Sequence, residues 1–203
     1  MKTKNILIGA LTAGMFLATV GNAFSQREDP RRRGASDGGT AIQQQLKTLK
    51  PGQWIDITGV PQKNGVIDAV KLKKLTGDFE PSDCEVRGTV RRLNLEKEEF
   101  YIMGMLCTVT EETEYEQSGQ GPVKFAKFAD MRTDILIEAE GVFKDGKFIA
   151  EEVQDESATE DEEEKTEVAV TGQIQSVDVE RKMVKIMNME FKISGTTKIK
   201  KGF

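Results

Sequence analysis

Histidine is absent from the 203 residues, and cysteine occurs only twice. Without histidine the chain lacks the commonest general base, the usual zinc ligand and the usual haem ligand. Aromatic residues make up 6% of the chain, and the formal net charge is −5. A negative chain does not favour nucleic-acid binding, which depends on neutralising phosphates. We therefore expect no cofactor, no metal site and no nucleic-acid partner.

The N-terminal residues have the pattern of a bacterial secretory signal peptide. Lys2 and Lys4 precede an apolar stretch from Ile6 to Val20, and small residues at Gly21 and Ala23 suit a cleavage site. The stretch is shorter than the roughly 20 apolar residues of a membrane-spanning helix. No second apolar run follows. The sequence predicts a signal peptide over 1–23, a periplasmic or extracellular location and no membrane span.

Residues 24–40 are rich in Arg, Gly, Asp and Ser, and we expect a disordered basic arm there. Ile42, Leu46 and Leu49 then follow at helical spacing, which predicts a short amphipathic helix over 41–49.

The first of two recurring patterns predicts three strands. Residues 86–93 match residues 170–177, and the match continues without a gap to Thr113 and Thr197. Gly104 aligns with Asn188, and these two residue types best tolerate left-handed backbone. Each copy is therefore expected to turn tightly at that position.

The second recurring pattern predicts a hairpin. Residues 55–60 match residues 137–142, and the copies continue to Asn64-Gly65 and Asp145-Gly146. Asn-Gly and Asp-Gly favour type I′ turns, in which both central residues need φ > 0.

These patterns predict an all-β fold of OB-like five-stranded barrel units. Residues 83–154 contain the three strands and the hairpin of one complete unit. Residues 41–75 supply a helix and a two-stranded half, and residues 166–203 supply a three-stranded half. An acidic linker over 155–165 allows the two halves to pair as a second barrel. The linker lacks the residue spacing of a calcium loop, so we favour a solvated chain over a calcium site.

The second barrel should have a core in which Ile55 and Ile57 pack with Val170, Ile174 and Ile186. The competing outcome is exchange of the halves between two chains, which would give a homodimer or a fibre.

The middle unit resembles domain-of-unknown-function family 5666. The resemblance is carried by Val86-x-Gly88-x-Val90, by the Gly104 hairpin, and by the segment from Ile137-Glu-x-Glu-Gly141 through Asp145-Gly146 to Val153. It implies small β-barrel repeats in exported bacterial proteins, and it implies no catalytic residues. The hairpin strand Gly65–Leu72 is also similar to exported bacterial OB-fold stress-tolerance proteins.

Cys84 and Cys107 are the candidate disulfide. They align with Val168 and Phe191, so we expect both side chains in apolar, inward-facing positions. An oxidising compartment would allow a bridge if their Cα atoms lie within about 7 Å. We favour two inert buried thiols over this bridge.

The remaining candidate residues have structural interpretations that we prefer. Trp54 could stack a base or a sugar, but a core or inter-barrel position is favoured. Glu96, Glu98 and Glu99 fall at an exposed turn, where nothing indicates an acid pair. Methionines flank the two corresponding hairpins, where thioethers could bind copper(I), although core packing is favoured. They are Met103, Met105, Met183, Met187 and Met189.

The function we expect is that of an exported, non-enzymatic binding or scaffold protein of the bacterial cell envelope. Its partner would be an envelope protein or polymer. The alternatives are an oligonucleotide- or sugar-binding OB-type module and an enzyme with an unrecognised site. A basic face joining Arg87, Arg91 and Arg92 to Lys124 and Lys127 would favour nucleic acid, and a cavity with a shifted carboxylate would favour an enzyme.

Overall fold

The computed structural model describes residues 37–117, 125–157 and 166–200, which belong to one compact unit built mainly of β-strands. The strands are β1 (Trp54–Pro61), β2 (Ile67–Lys74), β3 (Cys84–Asn94), β4 (Glu99–Ile102), β5 (Met105–Thr108), β6 (Glu114–Gln117), β7 (Leu136–Lys144), β8 (Lys147–Asp155), β9 (Val168–Asp178), β10 (Met183–Ile186), β11 (Met189–Lys192) and β12 (Lys198–Lys200). The helix α1 (Asp37–Leu46) precedes β1, and a 3₁₀-helix (Phe128–Asp130) precedes β7.

The middle of the chain closes on itself as a five-stranded barrel. β3, β4 and β5 form an antiparallel meander, and β5 then pairs in parallel with β8. β8 pairs with β7, and β7 returns to β3. Because every strand has two neighbours, this barrel leaves no open edge. The contiguous barrel expected over 83–154 is therefore present.

The two ends of the chain close a second barrel with the same order of pairings. β9, β10 and β11 form the meander, β11 pairs in parallel with β2, β2 pairs with β1, and β1 returns to β9. Ile57 lies opposite Val170 in this last pairing. Ile55, Ile174 and Ile186 are buried in the same core. The predicted fold class is confirmed, and the halves pair within one chain.

Two aligned threonines make the same contact in the two barrels. The hydroxyl of Thr113 donates to the carbonyl of Ala150 at 2.7 Å, and the hydroxyl of Thr197 donates to the carbonyl of Ala69 at 2.7 Å. Each threonine precedes a short strand that pairs in parallel with the hairpin, β6 with β8 and β12 with β2. The same side-chain hydrogen bond thus anchors the extra strand of each barrel.

The barrels are joined edge to edge by antiparallel pairing of β3 with β9. Val86 lies opposite Val170, and these residues occupy aligned positions of the two meanders. Behind this joint, a Cβ on Gly88 would lie 2.7 Å from Ile102 Cγ2 and 2.8 Å from Val168 Cγ2. A side chain at this position would require Ile102 or Val168 to shift, so glycine suits the close approach of β3 and β9.

Three tight turns have positive φ at both central residues, as type I′ geometry requires; type I′ was predicted for Asp145-Gly146, and a tight turn at Gly104 and at Asn188. Asp145-Gly146 has φ values of 51° and 83°, and the turns at Met103-Gly104 and Met187-Asn188 also have two residues with positive φ. The prediction for Asn64-Gly65 is wrong in detail. Only Gly65 has positive φ there, because the amide of Gln62 bonds to the carbonyl of Val66 and closes a longer loop.

Two predicted boundaries shift. The helix begins at Asp37 rather than at residue 41, and it ends at Leu46, after which a single turn carries Leu49 into the core. The acidic segment does not begin as a linker, because Asp155 is the buried last residue of β8 and accepts a hydrogen bond from the amide of Ser157. The expected signal peptide, the arm to residue 36 and residues 158–165 lie outside the described residues.

Candidate functional site

One outer sheet surface runs without interruption across both barrels. Its strands follow the order β12–β2–β1–β9–β3–β7–β8–β6, with backbone pairing at every step. Side chains alternate along a strand, so the neighbours of the buried residues Ile57, Val86 and Val170 project outward. We call this outer surface the shared face.

The half of the shared face formed by β3, β7, β8 and β6 is acidic. Across these strands Glu85 lies opposite Glu140, Glu140 opposite Glu152, and Glu152 opposite Glu114. The adjacent row consists of Arg87, Glu138, Gln154 and Glu116. Like charges directly opposite one another destabilise a sheet. The fold therefore keeps this arrangement at an electrostatic cost.

Three of these carboxylates form a tight group. Oxygens of Glu85, Glu138 and Glu140 all lie within 4.8 Å of one another. Burial, followed by the charge of Glu138 and a hydrogen bond to it, raises the pKa of Glu85 to about 7. Burial and the charge of Glu156 raise the pKa of Glu138, while the hydrogen bond from Glu85 acts in the opposite direction. Below about pH 7, Glu85 thus retains a proton that it can donate to the Glu138 carboxylate.

We predict that Glu85→Gln stabilises the protein at pH 8. A carboxyl whose pKa is raised by folding favours the folded state below its unfolded pKa of about 4.5, and this advantage disappears as the pH rises to about 7. Glutamine stays neutral and still donates to Glu138. We expect a gain of about 1 kcal/mol at pH 8, since solvent screens this half-buried site, and almost none at pH 4.5.

Urea unfolding at the two pH values measures this difference. Glu96→Gln, at the exposed turn between β3 and β4, is the matched control and should change stability little at either pH. A gain from Glu85→Gln that is the same at both pH values would contradict the explanation.

The half of the shared face formed by β12 and β2 is basic. Lys198 lies opposite Lys71, and Lys200 lies opposite Lys73. Asp56 on the neighbouring β1 forms an ion pair with Lys71, with 3.4 Å between Asp56 Oδ2 and Lys71 Nζ. The shared face thus carries opposite charges at its two ends, and β9, with Thr171 and Ala169 outward, separates them.

The group of Glu85, Glu138 and Glu140 could contribute oxygens to a hard cation. Calcium takes six to eight oxygen ligands, and these glutamates supply only part of such a set. On this outer sheet surface Glu85 and Glu138 are half-buried and Glu140 is exposed. The arrangement by itself is better suited to an electrostatic contact than to a metal centre.

An acidic cleft of about 520 Å³ adjoins this half of the face. It is lined by five glutamates together with Ser, Thr, Ile and Ala side chains; the glutamates are Glu112, Glu114, Glu140, Glu151 and Glu152. Burial and the charge of Glu116 raise the pKa of Glu152. The paired Glu85 and Glu138 are not among the residues that line this cleft, so the shifted carboxyl pair and the cavity do not coincide.

Both cysteine side chains are buried and free, as their alignment with the buried Val168 and Phe191 predicts. Burial raises the pKa of the Cys84 thiol and of the Cys107 thiol. Thiols that stay protonated are poor nucleophiles and poor metal ligands. Cys84 lies on β3 and Cys107 on β5, with β4 between these strands.

Trp54 lies at the junction of the barrels. It is 9% exposed and stacks on Phe79 with ring centroids 5.1 Å apart. With Cys84, Phe143 and Met187 it borders a cleft of about 200 Å³. Because its ring is already stacked and covered, Trp54 is not presented as a platform for a base or a sugar.

The arginines that could have favoured nucleic acid have other partners. Arg87 lies 3.9 Å from Glu156, and Arg91 pairs with Asp134 at 3.0 Å. Arg92 stacks over Tyr101, with 4.1 Å from its guanidinium carbon to the ring centroid. Lys124 lies outside the described residues. Arg87 and Arg91 are thus paired with carboxylates, and Arg92 is stacked on a tyrosine.

Comparison with known proteins matches the contiguous barrel to a family model. Residues 87–154 are similar to a domain of unknown function, DUF5666. The match extends from β3 to β8, and we call the barrel that it covers the DUF5666 barrel; the acidic half of the shared face lies on this barrel. No curated protein and no solved structure matches the chain. Among the described residues, no helix is long and apolar enough to cross a membrane.

Sequence reasoning missed the shared face. Glu138 and Glu140 were recognised only as part of a structural motif. A usable signal was present in the alignment of the two barrels, where Glu152 corresponds to Lys71 and Glu114 corresponds to Lys198. Reversed charges at aligned, outward positions of two similar sheets would have pointed to this surface.

Proposed function

We propose that the protein is an exported, non-enzymatic binding or scaffold protein of the bacterial cell envelope, and that the shared face is its contact surface. The observation that carries this proposal is the separation of charge on one continuous sheet, with carboxylates on the DUF5666 barrel and lysines on the other. Complementary potentials guide a partner to the correct position and exclude others.

The cost of the acidic half supports a role in binding. Glu85 has its pKa raised to about 7, and neighbouring glutamates lie opposite one another along the sheet. Strongly perturbed ionisable groups concentrate at functional sites, because a ligand or partner compensates the cost that the free protein bears. A partner with a basic patch beside an acidic one would relieve the repulsion at both ends of the face.

The carboxyl pair of Glu85 and Glu138 is the one observation that favours the enzyme alternative. A shared proton is a feature of acid–base catalysis. However, the pair is on the outer surface of a sheet, and the neighbouring acidic cleft is lined by other residues. Catalysis requires a substrate held in position against the reacting groups. We therefore prefer binding without turnover.

Charge reversal on the two ends of the shared face tests the proposal. The bait is the exported form of the chain, whose start at or near Phe24 is checked by N-terminal sequencing. We expect Glu114→Lys/Glu140→Lys and Lys198→Glu/Lys200→Glu each to reduce capture of the partner from an envelope extract at least tenfold. All four residues are exposed, so the fold should tolerate the changes.

The matched controls carry the same change of net charge at exposed turns. They are Glu96→Lys/Glu180→Lys and Lys63→Glu/Lys97→Glu, and we expect both to capture the partner normally. Capture should also weaken at high salt, since surface charges are screened. Equal capture by the face variants and the controls would contradict the proposal. Sedimentation of the same variants shows whether the partner is a second copy of the chain.

A further inference from the structure

Two corresponding hairpins each carry a Met-x-Met sequence at their tip. Met103-Gly104 is the turn between β4 and β5, and Met105 follows it. Met187-Asn188 is the turn between β10 and β11, and Met189 follows it. Each barrel therefore presents two methionines from the same place in its meander.

All four methionines line one cleft. Its volume is about 370 Å³, and Gly146 and Glu190 also contribute to its wall. Met105, Met187 and Met189 are buried, whereas Met103 is half-buried and packs against the core. The other two methionines of the described residues lie elsewhere. Met131 is buried beside the 3₁₀-helix, and Met183 lines a different cleft. Among the described methionines, the cleft is therefore lined by the four that belong to the two corresponding turns.

The turns place methionine where the backbone disfavours it. Met103 has φ of 49° and Met187 has φ of 44°. The first central position of a type I′ turn favours Asn, Asp or Gly, and a bulky residue with positive φ is an outlier. Such strain concentrates where a side chain has a role beyond the fold. In the turn between β7 and β8, by contrast, the first central position is occupied by Asp145, a residue type that this position favours.

We propose that Met103, Met105, Met187 and Met189 form a binding site for a soft monovalent metal ion, copper(I) or its analogue silver(I). Thioether sulfur is a soft ligand and prefers such ions to calcium, magnesium or zinc. The chain has no histidine that would compete for copper. This inference uses none of the charged residues of the shared face, so its failure would leave the proposed function intact.

Titration of the exported chain with silver(I), in chloride-free buffer, tests the site. Silver(I) needs no reductant and has no magnetic effect on NMR spectra. We expect one equivalent to bind by calorimetry. In a sample labelled with ¹³C at the methionine methyl groups, the signals of the four cleft methionines should shift, while those of Met131 and Met183 stay in place. No uptake, or shifts confined to Met131 and Met183, would overturn the proposal.

Variants provide the second measurement. Met103→Leu/Met187→Leu should weaken silver(I) binding at least tenfold, and leucine keeps the volume of the side chain. Met131→Leu/Met183→Leu is the matched control and should bind normally. Cys84→Ser/Cys107→Ser should also bind normally, because both thiols are buried outside the cleft. Binding that is lost with the cysteines and kept without the cleft methionines would overturn the proposal.

Discussion

Replacing Gly141 by valine will prevent the DUF5666 barrel from folding stably. Gly141 lies at the β-bulge between β7 and β8, with φ of 155°. A Cβ there would overlap the carbonyl oxygen of Ile149 and lie 2.9 Å from the amide nitrogen of Glu151. Both obstacles are backbone atoms of the paired strand, so they cannot move without breaking the register. We expect a loss of about 3 kcal/mol or more, beyond that of an ordinary substitution.

The control is Gly104→Asn at the turn between β4 and β5. A Cβ at Gly104 would meet no atom within 4 Å, and Asn188 occupies the aligned turn with φ of 63°. This variant should stay within about 0.5 kcal/mol of the parent. Thermal and urea unfolding, followed by circular dichroism, measure both. If Gly141→Val unfolds with the same midpoint as Gly104→Asn, the close approach at the bulge is not required.

Local features of the fold could be predicted because they depend on neighbouring residues. Asp145-Gly146 turns as expected, since Asp and Gly both tolerate the positive φ that a type I′ turn requires. Asn64-Gly65 turns differently, because the loop is closed by a hydrogen bond from the amide of Gln62 to the carbonyl of Val66, outside the Asn-Gly pair. Element boundaries depend on such contacts too, and Asp155 belongs to β8 through its strand pairing and hydrogen bond although the local composition is that of a linker.

The candidate sites could not be predicted because they depend on contacts between distant parts of the chain. The shared face exists only because Val86 pairs with Val170 and joins the barrels. No local pattern around either valine specifies that register. The methionine cleft likewise requires Met103 and Met187, which are far apart in sequence, to line the same cavity. The sequence identifies these residues, but it does not show that the fold brings them together.

Deleting residues 166–203 will unfold the N-terminal half of the second barrel. β1 loses its pairing with β9, and β2 loses its pairings with β11 and β12. The remaining hairpin would expose Ile55, Ile57 and Leu72, which are fully buried in the intact chain. Burial of each such side chain contributes about 1.5–3 kcal/mol, and an isolated two-stranded hairpin is marginal in water.

The DUF5666 barrel should survive this deletion. All of its pairings, from β3–β4 to β7–β3, are made by residues that remain. Of the strand pairings described for this barrel, the deletion removes that of β3 with β9. A separate peptide of residues 166–203, added to the truncated chain, should restore order to the N-terminal half, because it supplies every strand that was removed.

Hydrogen exchange read by mass spectrometry tests most directly whether the second barrel is assembled from both ends of the chain. In the full chain, peptides covering residues 54–74 should be protected as well as those covering residues 136–155. In the chain without residues 166–203, we expect 54–74 to exchange within seconds while 136–155 keeps its protection. If 54–74 remains protected in the truncated chain, the two halves do not depend on each other and the account of the second barrel is wrong.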